Sequence, residues 1–237
     1  MLTVYDLRNR ANGLVIKLVD VCPVFRDKVD STSQKIGANS NCLFTANQVR
    51  QMVKALLTGD FAMAEPAFDA AAKQLLPTTE LYEGELQKFE SFVNYLTERL
   101  GVWKEVSHVP AGIQHAKLKQ IRNRGYVCLT STGLNIIGRI GHELLVNKVR
   151  DWQEYTERLA KLDWLKTNPL WADIVQPKKD KGGKVVPEEC EVNGRKEMRP
   201  VMQLMTNRAP LNRAIFKVSQ AIGLIPETVC GTAGGDY

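Results

Sequence analysis

Leu159-Ala160-Lys161-Leu162-Asp163-Trp164-Leu165-Lys166-Thr167-Asn168-Pro169-Leu170-Trp171 is the stretch whose reading decides the fold. Leu159 and Leu162 continue a stripe begun by Trp152 and Tyr155, with the three-and-four spacing of an amphipathic helix. Asn168-Pro169 is expected to stop that helix, because proline lacks the N–H and biases the preceding residue away from helical backbone. Trp164 and Trp171 flank the stop. Two large aromatics beside a chain reversal predict a packed corner where helices converge, with both indoles largely buried.

Upstream of the corner, Leu134, Ile137, Gly138, Gly141, Leu144, Leu145 and Lys148 fall along one helical face. Glycine costs helix stability, so two glycines on the buried side predict a second helix at close range. Arg139, Glu143, Asn147 and Arg150 occupy the opposite face. The pattern either continues into the Trp152 helix or bends near Asp151; both fit the spacing. Before it lies a basic segment with Lys117, Lys119, Arg122 and Arg124 around the apolar Leu118 and Ile121. That segment suits a solvated helix face or an edge that contacts phosphates.

The N-terminal half also reads as helices. Val4, Leu7, Ala11, Leu14, Val15 and Leu18 recur at helical spacing up to a turn at Pro23-Val24-Phe25. Asp30 to Ser40 is polar and reads as a loop. Thr45-Ala46-Asn47-Gln48 forms a capping box, with Phe44 and Val49 at the staple positions and Gly59 as the stop. A helix is expected after Pro66. A long one then carries Tyr82, Leu86, Phe89, Val93, Leu96 and Leu100 on one stripe.

Downstream, the run from Lys178 to Lys184 reads as a charged, mobile loop. Asn193-Gly194 between short alternating runs is the strongest local signal for a hairpin. Pro210 suits the first position of a last helix, whose buried stripe is Leu211, Ala214, Ile215, Val218, Ala221 and Ile222, with Gly223 as stop. The expectation is a mainly α, multi-helix single domain over residues 1–226, with a small β-hairpin near residues 188–199 and a flexible Gly-rich tail at 227–237.

Of the 237 residues, 44% are hydrophobic and 24% charged, which is ordinary for a globular domain. No apolar run approaches the roughly 20 residues needed to span a bilayer, and no signal-peptide layout opens the chain; a cytoplasmic protein with no membrane partner is expected. The five cysteines are scattered without a C-x-x-C, and the three histidines form no H-E-x-x-H, so no metal site is expected. Cys42 precedes a helix start, where a thiol pKa can fall. P-loop, dinucleotide-binding and nucleophile-elbow motifs are absent, and no carboxylate pair is singled out, so neither a cofactor nor a catalytic residue is expected. The net charge of +6 permits attraction to nucleic acid.

The opening stretch, as Leu-x-x-Leu-Asp-Trp-x-x-x-Asn-Pro-Leu-Trp, resembles the C-terminal half of the DndB family, DGQHR-domain proteins that accompany DNA phosphorothioation systems. The resemblance extends in order along nearly the whole chain. Tyr5-Asp6-Leu7-Arg8, Leu14 to Leu18, Val24-Phe25-Arg26 and Leu43-Phe44-Thr45 are similar to the family's YDxRDPLxRLxL, PVFR and KLFT segments. Trp103-Lys104-Glu105-Val106 with Val109-Pro110, and then Tyr126 to Gly141, resemble its FWxxV…IP run and its YxxxxxxxLxxLGxxG helix. Asn193-Gly194-Arg195, Asn207-Arg208 and Gly223-Leu224 resemble its NGR…TN…GLPL close. Two departures stand out. The DGQHR domain is missing, as in a short relative, a split gene product or a truncated form, so activities owed to it are not carried over. Cys128 and Thr130 stand where the family's pattern has histidines after the tyrosine.

The resemblance implies a DNA-associated regulator or accessory of a DNA sulfur-modification or related restriction–modification locus, binding DNA and acting in transcription regulation. Other DNA-modification proteins and a second copy of the chain are further expected partners. The alternative is an interaction module for the modification enzymes without DNA binding of its own. An enzyme is the third reading. Arg213 and Lys217, four apart on the last helix, project from one face away from the apolar stripe. Arg208 lies near that helix start, where free N–H groups favour an anion. These three are the candidate phosphate contacts, with Arg122, Arg124 and Arg195 as a second group.

Overall fold

The computed structural model describes residues 9–37, 40–110, 114–147, 149–192 and 195–225. The first four positions of the first-helix stripe to fall in this range, Ala11, Leu14, Val15 and Leu18, are buried on α1 (Arg10–Val21), which Asn9 caps through its side chain. Val4 and Leu7, the turn at Asn193-Gly194 and the tail from 227 lie outside the described residues. After the turn at Pro23 comes β1 (Val29–Asp30), which pairs in parallel with β2 (Phe44–Thr45). The capping box is present: Gln48 N–H donates to Thr45 Oγ1 at 3.2 Å, and Thr45 N–H donates to Gln48 Oε1 at 2.9 Å. It starts α2 (Ala46–Thr58), which Gly59 ends in the left-handed region at φ 71°. Phe44 and Val49 are fully buried beside it, as a hydrophobic staple requires.

Then follow α3 (Glu65–Leu75), with Pro66 in its first turn, and α4 (Thr79–Arg99). Leu100 adopts extended backbone and separates α4 from the short α5 (Gly101–Ser107), which buries Trp103. α6 (Gln114–Asn123) buries Leu118 and Ile121 and turns its basic residues outward. A short 3-10 turn at Val127–Leu129 leads into α7 (Ser131–Val146), and α8 (Trp152–Lys161) follows after a bend. The two patterns are therefore separate helices.

The centre of the molecule is the crossing of α2 and α7, which share its most extensive interface. A Cβ on Gly138 would lie 2.6 Å from the Met52 carbonyl oxygen and 2.9 Å from Ala55 Cβ. One on Gly141 would lie 2.5 Å from Leu56 Cδ2 and 2.7 Å from the Phe92 ring. The glycines thus let two backbones approach, as their place on the buried face predicts. α7 is buried on more than that stripe, since Ile136 and Ile140 are also inaccessible.

The tryptophan corner is present with one correction. α8 ends at Lys161, and Leu162 is already extended, so Asn168-Pro169 does not end this helix. The physical reason is Trp164, whose indole N–H turns back to donate to the Leu159 carbonyl at 3.1 Å and so occupies an acceptor of the last turn. Asn168 instead caps the 3-10 turn Pro169–Trp171 by accepting from Leu170 N–H. Trp164 and Trp171 are buried and stacked with ring centroids 4.8 Å apart, and Trp171 donates to the Asp163 carbonyl at 2.9 Å.

Beyond the corner, β3 (Val175–Pro177) pairs antiparallel with β6 (Met202–Leu204), a sheet without a sequence signal. Between them, β4 (Pro187–Val192) and β5 (Arg195–Pro200) form the expected hairpin, with Val192 opposite Arg195. Lys178 to Lys184 is a closed turn between extended segments, not an open loop. Asp180 N–H donates to the Lys184 carbonyl at 2.8 Å, and Asp180 Oδ1 accepts from Gly182 and Lys184 N–H. The last helix, α9 (Arg208–Ala221), starts two residues before Pro210. Proline is tolerated there because N–H groups of the first turn have no partner within the helix. Among the described residues, nine α-helices and three two-stranded sheets make a mainly α single domain.

Candidate nucleic-acid interface and adjoining cavity

The spacing of four that places Arg213 and Lys217 on one side of α9 brings both to a single carboxylate. Arg213 Nε lies 3.2 Å from Asp173 Oδ1, and Lys217 Nζ 2.6 Å from Asp173 Oδ2. Asp173 is positioned by the corner, two residues after Trp171. The Lys217 ammonium first, and then the Arg213 guanidinium, hold the Asp173 carboxyl below the usual range. Two cations therefore share one anion, which leaves a local excess of one positive charge. Arg208 is the first residue of α9; it is 65% exposed and lies 3.6 Å from Asp60 Oδ1.

The second group has other work. Arg122 donates to the carbonyls of Gly37 at 2.8 Å and of Ser40 and Cys42 at 3.0 Å, and so fastens the loop after β1 to α6. Arg124 grips Glu105 through both terminal nitrogens, at 2.5 and 3.0 Å, and Lys117 reaches the same carboxylate at 2.9 Å. Those bonds, Arg124's first, lower the Glu105 pKa. The side chain of Arg195, in β5, lies outside what the structure describes. The six candidates thus form no single cluster.

Periodicity did not single out two features. One is the turn where Lys178, Lys179, Lys181 and Lys184 are all exposed while Asp180 is spent on backbone N–H groups. The other is a cavity of about 770 Å³ between the end of α2, α7 and α9. Arg139, Glu143 and Asn147, read from sequence only as the polar face of a helix, wall one side of it. Glu143 accepts from Arg139 with one oxygen and from Asn147 with the other. His142 Nδ1 lies 2.8 Å from the Leu56 carbonyl. A carbonyl can only accept, so that nitrogen carries the proton and, in the neutral ring, Nε2 is an acceptor. Phe61, Ile215, Phe216 and Leu224 supply apolar surface to the same cavity.

Among the described residues, the thiols of Cys22, Cys42 and Cys128 are not activated. Burial above all pushes Cys22 up to about 12, raises Cys128 well above its ordinary value and also raises Cys42. The lowering that a helix start could bring to Cys42 is outweighed by its desolvation.

A family model described as DndB, DNA-sulfur modification-associated, matches residues 1–223. The chain belongs to the DndB family. No curated protein and no solved structure matches it. The DndB match takes in the tryptophan corner, the α2–α7 crossing and all of α9, so the basic face of that helix and the cavity lining other than Leu224 and Ile225 lie in the matched region. In this DndB-family chain no described helix is long and apolar enough to cross a membrane.

Proposed function

We propose that this DndB-family chain is a DNA-binding accessory of a DNA sulfur-modification (phosphorothioation) locus and acts in its transcription regulation. The observation that carries the reading is a track of cations. It joins Arg213 and Lys217, which share one face of α9 and Asp173, through β3 to the turn bearing Lys178, Lys179, Lys181 and Lys184; Arg208 stands apart, at the start of the helix on the strip that lines the cavity. The path from Asp173 to Lys179 is mostly extended, about 20 Å at ~3.3 Å per residue. That length spans several phosphates of a duplex, which carries a charge every ~1.7 Å of its axis. In this reading Arg208, Arg213 and Lys217 contact phosphates and Arg195 is a secondary contact. Arg122 and Arg124 serve the fold in this reading, because their terminal nitrogens hold carbonyls and a carboxylate of the chain.

The test is binding of duplex DNA by fluorescence anisotropy over a salt series. Replacing Arg213 and Lys217 with Gln is expected to flatten the slope of log affinity against log salt by about 0.9 for each phosphate no longer neutralised. The weakening is expected to be similar for unrelated sequences, since bonds to phosphates carry no sequence information directly. An unchanged affinity and slope would remove α9 from the interface. No binding by the parent protein at low salt would overturn the reading in favour of a module that contacts the modification enzymes.

A further inference from the structure

The cavity beside α9 combines two surfaces that seldom serve one ligand. Its lining includes Arg139, 30% exposed, and Arg208, 65% exposed. Each guanidinium has five N–H donors. Arg139 spends one nitrogen on Glu143, and Arg208 reaches Asp60 only at 3.6 Å, longer than a hydrogen bond. Both oxygens of Glu143 are engaged. Asp60 also lines the cavity and its Oδ1 accepts from Ala62 N–H, so the spare capacity is mainly in the donors of the two guanidiniums, which suits an anion. The same lining carries apolar side chains, Phe61, Ile215, Phe216 and Leu224. At about 770 Å³ the cavity falls within the range of ligand sites.

An ordinary phosphate would use the donors and gain nothing from the apolar side chains. Replacing one non-bridging oxygen with sulfur keeps the single negative charge. It adds a larger, softer atom that accepts hydrogen bonds poorly, costs less to bury, and makes favourable contacts with aromatic rings. We propose that the cavity formed by Arg139, Arg208, Phe61 and Phe216 is a subsite for the sulfur-bearing phosphate of modified DNA, with guanidinium groups on the oxygen and the rings against the sulfur. The proposal rests on the DNA-binding reading. Arg208, Asn212, Phe216 and Ser219 share the strip of α9 that faces the cavity. Arg213 and Lys217 lie further round the same helix, paired with Asp173. The two stereoisomers of the linkage place the sulfur differently against that lining, so the subsite distinguishes them.

Anisotropy titrations of the full chain would compare one duplex in three forms: unmodified, and with a single phosphorothioate of each configuration. One configuration is expected to bind about tenfold more tightly than the unmodified duplex, the discrimination that one buried apolar group supplies. Phe216→Ala should abolish that preference while leaving affinity for unmodified DNA in place. Phe216→Leu, which keeps an apolar side chain there and guards against a folding defect, should retain most of it. Equal binding of all three duplexes by the parent protein would overturn the proposal and leave the DNA-binding reading standing. So would a preference that survives Phe216→Ala. Binding of none of them would overturn both.

Discussion

The α2–α7 crossing and the ribbon from Val175 to Leu204 are held together by opposite means. In the crossing, Gly138 faces the α2 backbone at Met52 and Gly141 faces the side chains of Leu56 and Phe92, and Met52, Leu56, Phe92 and Ile137 are inaccessible to solvent. In the ribbon, the backbone ladder does most of the holding, while Val185 is 47% and Met198 64% exposed. A close-packed region responds to every added or missing atom. A ladder with outward side chains tolerates substitution and is free to carry charge. The ribbon accordingly holds the four-lysine turn, and the crossing holds the molecule.

That contrast can be broken by substitution. The largest effect is expected for Trp164→Ala at the corner where helices and ribbon join. Loss of a buried, stacked indole and its bond to Leu159 should cost about 3–5 kcal/mol. An unaltered chemical-denaturation midpoint would show that the corner does not couple the two regions. Next comes Gly138→Leu, which must displace the α2 backbone at Met52 and should cost about 1–3 kcal/mol despite the better helix propensity of leucine. A gain in thermal stability would mean that the two backbones are not in contact there. Thr45→Ala removes one arm of the capping box and should cost about 1 kcal/mol. Hydrogen exchange would localise that loss to the first turn of α2 if the cap acts locally. The smallest change in stability, within about 0.5 kcal/mol, is expected for Lys179→Gln with Lys181→Gln in the ribbon turn. The same pair should weaken DNA binding; a large shift in melting temperature instead would make the ribbon part of the structural core.

Acid should act in the same sense on the ion pairs of Asp173, beside the corner, and of Glu105 in α5. Asp173 and Glu105 have folded pKa values lowered by their cationic partners. Their contribution is present above the unfolded carboxylate pKa and is lost as pH falls through the folded value. Since these groups are partly exposed, screening keeps that contribution small.

The sequence by itself determined what short-range physics controls. The capping box at Thr45, the glycine-bearing face of α7, the buried indoles and the hairpin register at Val192 and Arg195 all follow from spacing within one or two turns or from the two-residue turn that fits Asn193-Gly194. The paired segments β3 and β6 carried no such signal, because each is only three residues long and their partners are more than twenty residues apart. Only the tertiary structure decided what each charged group does. Arg122, Arg124 and Arg213 are alike as residues of basic helical segments. In space one meets carbonyls more than 80 residues away, one meets Glu105, and one shares Asp173 with Lys217. The cavity is likewise assembled from three helices that are remote in the chain. A hydrogen bond or ion pair depends on a few ångströms of distance, and the packing of elements, not their local pattern, sets that distance.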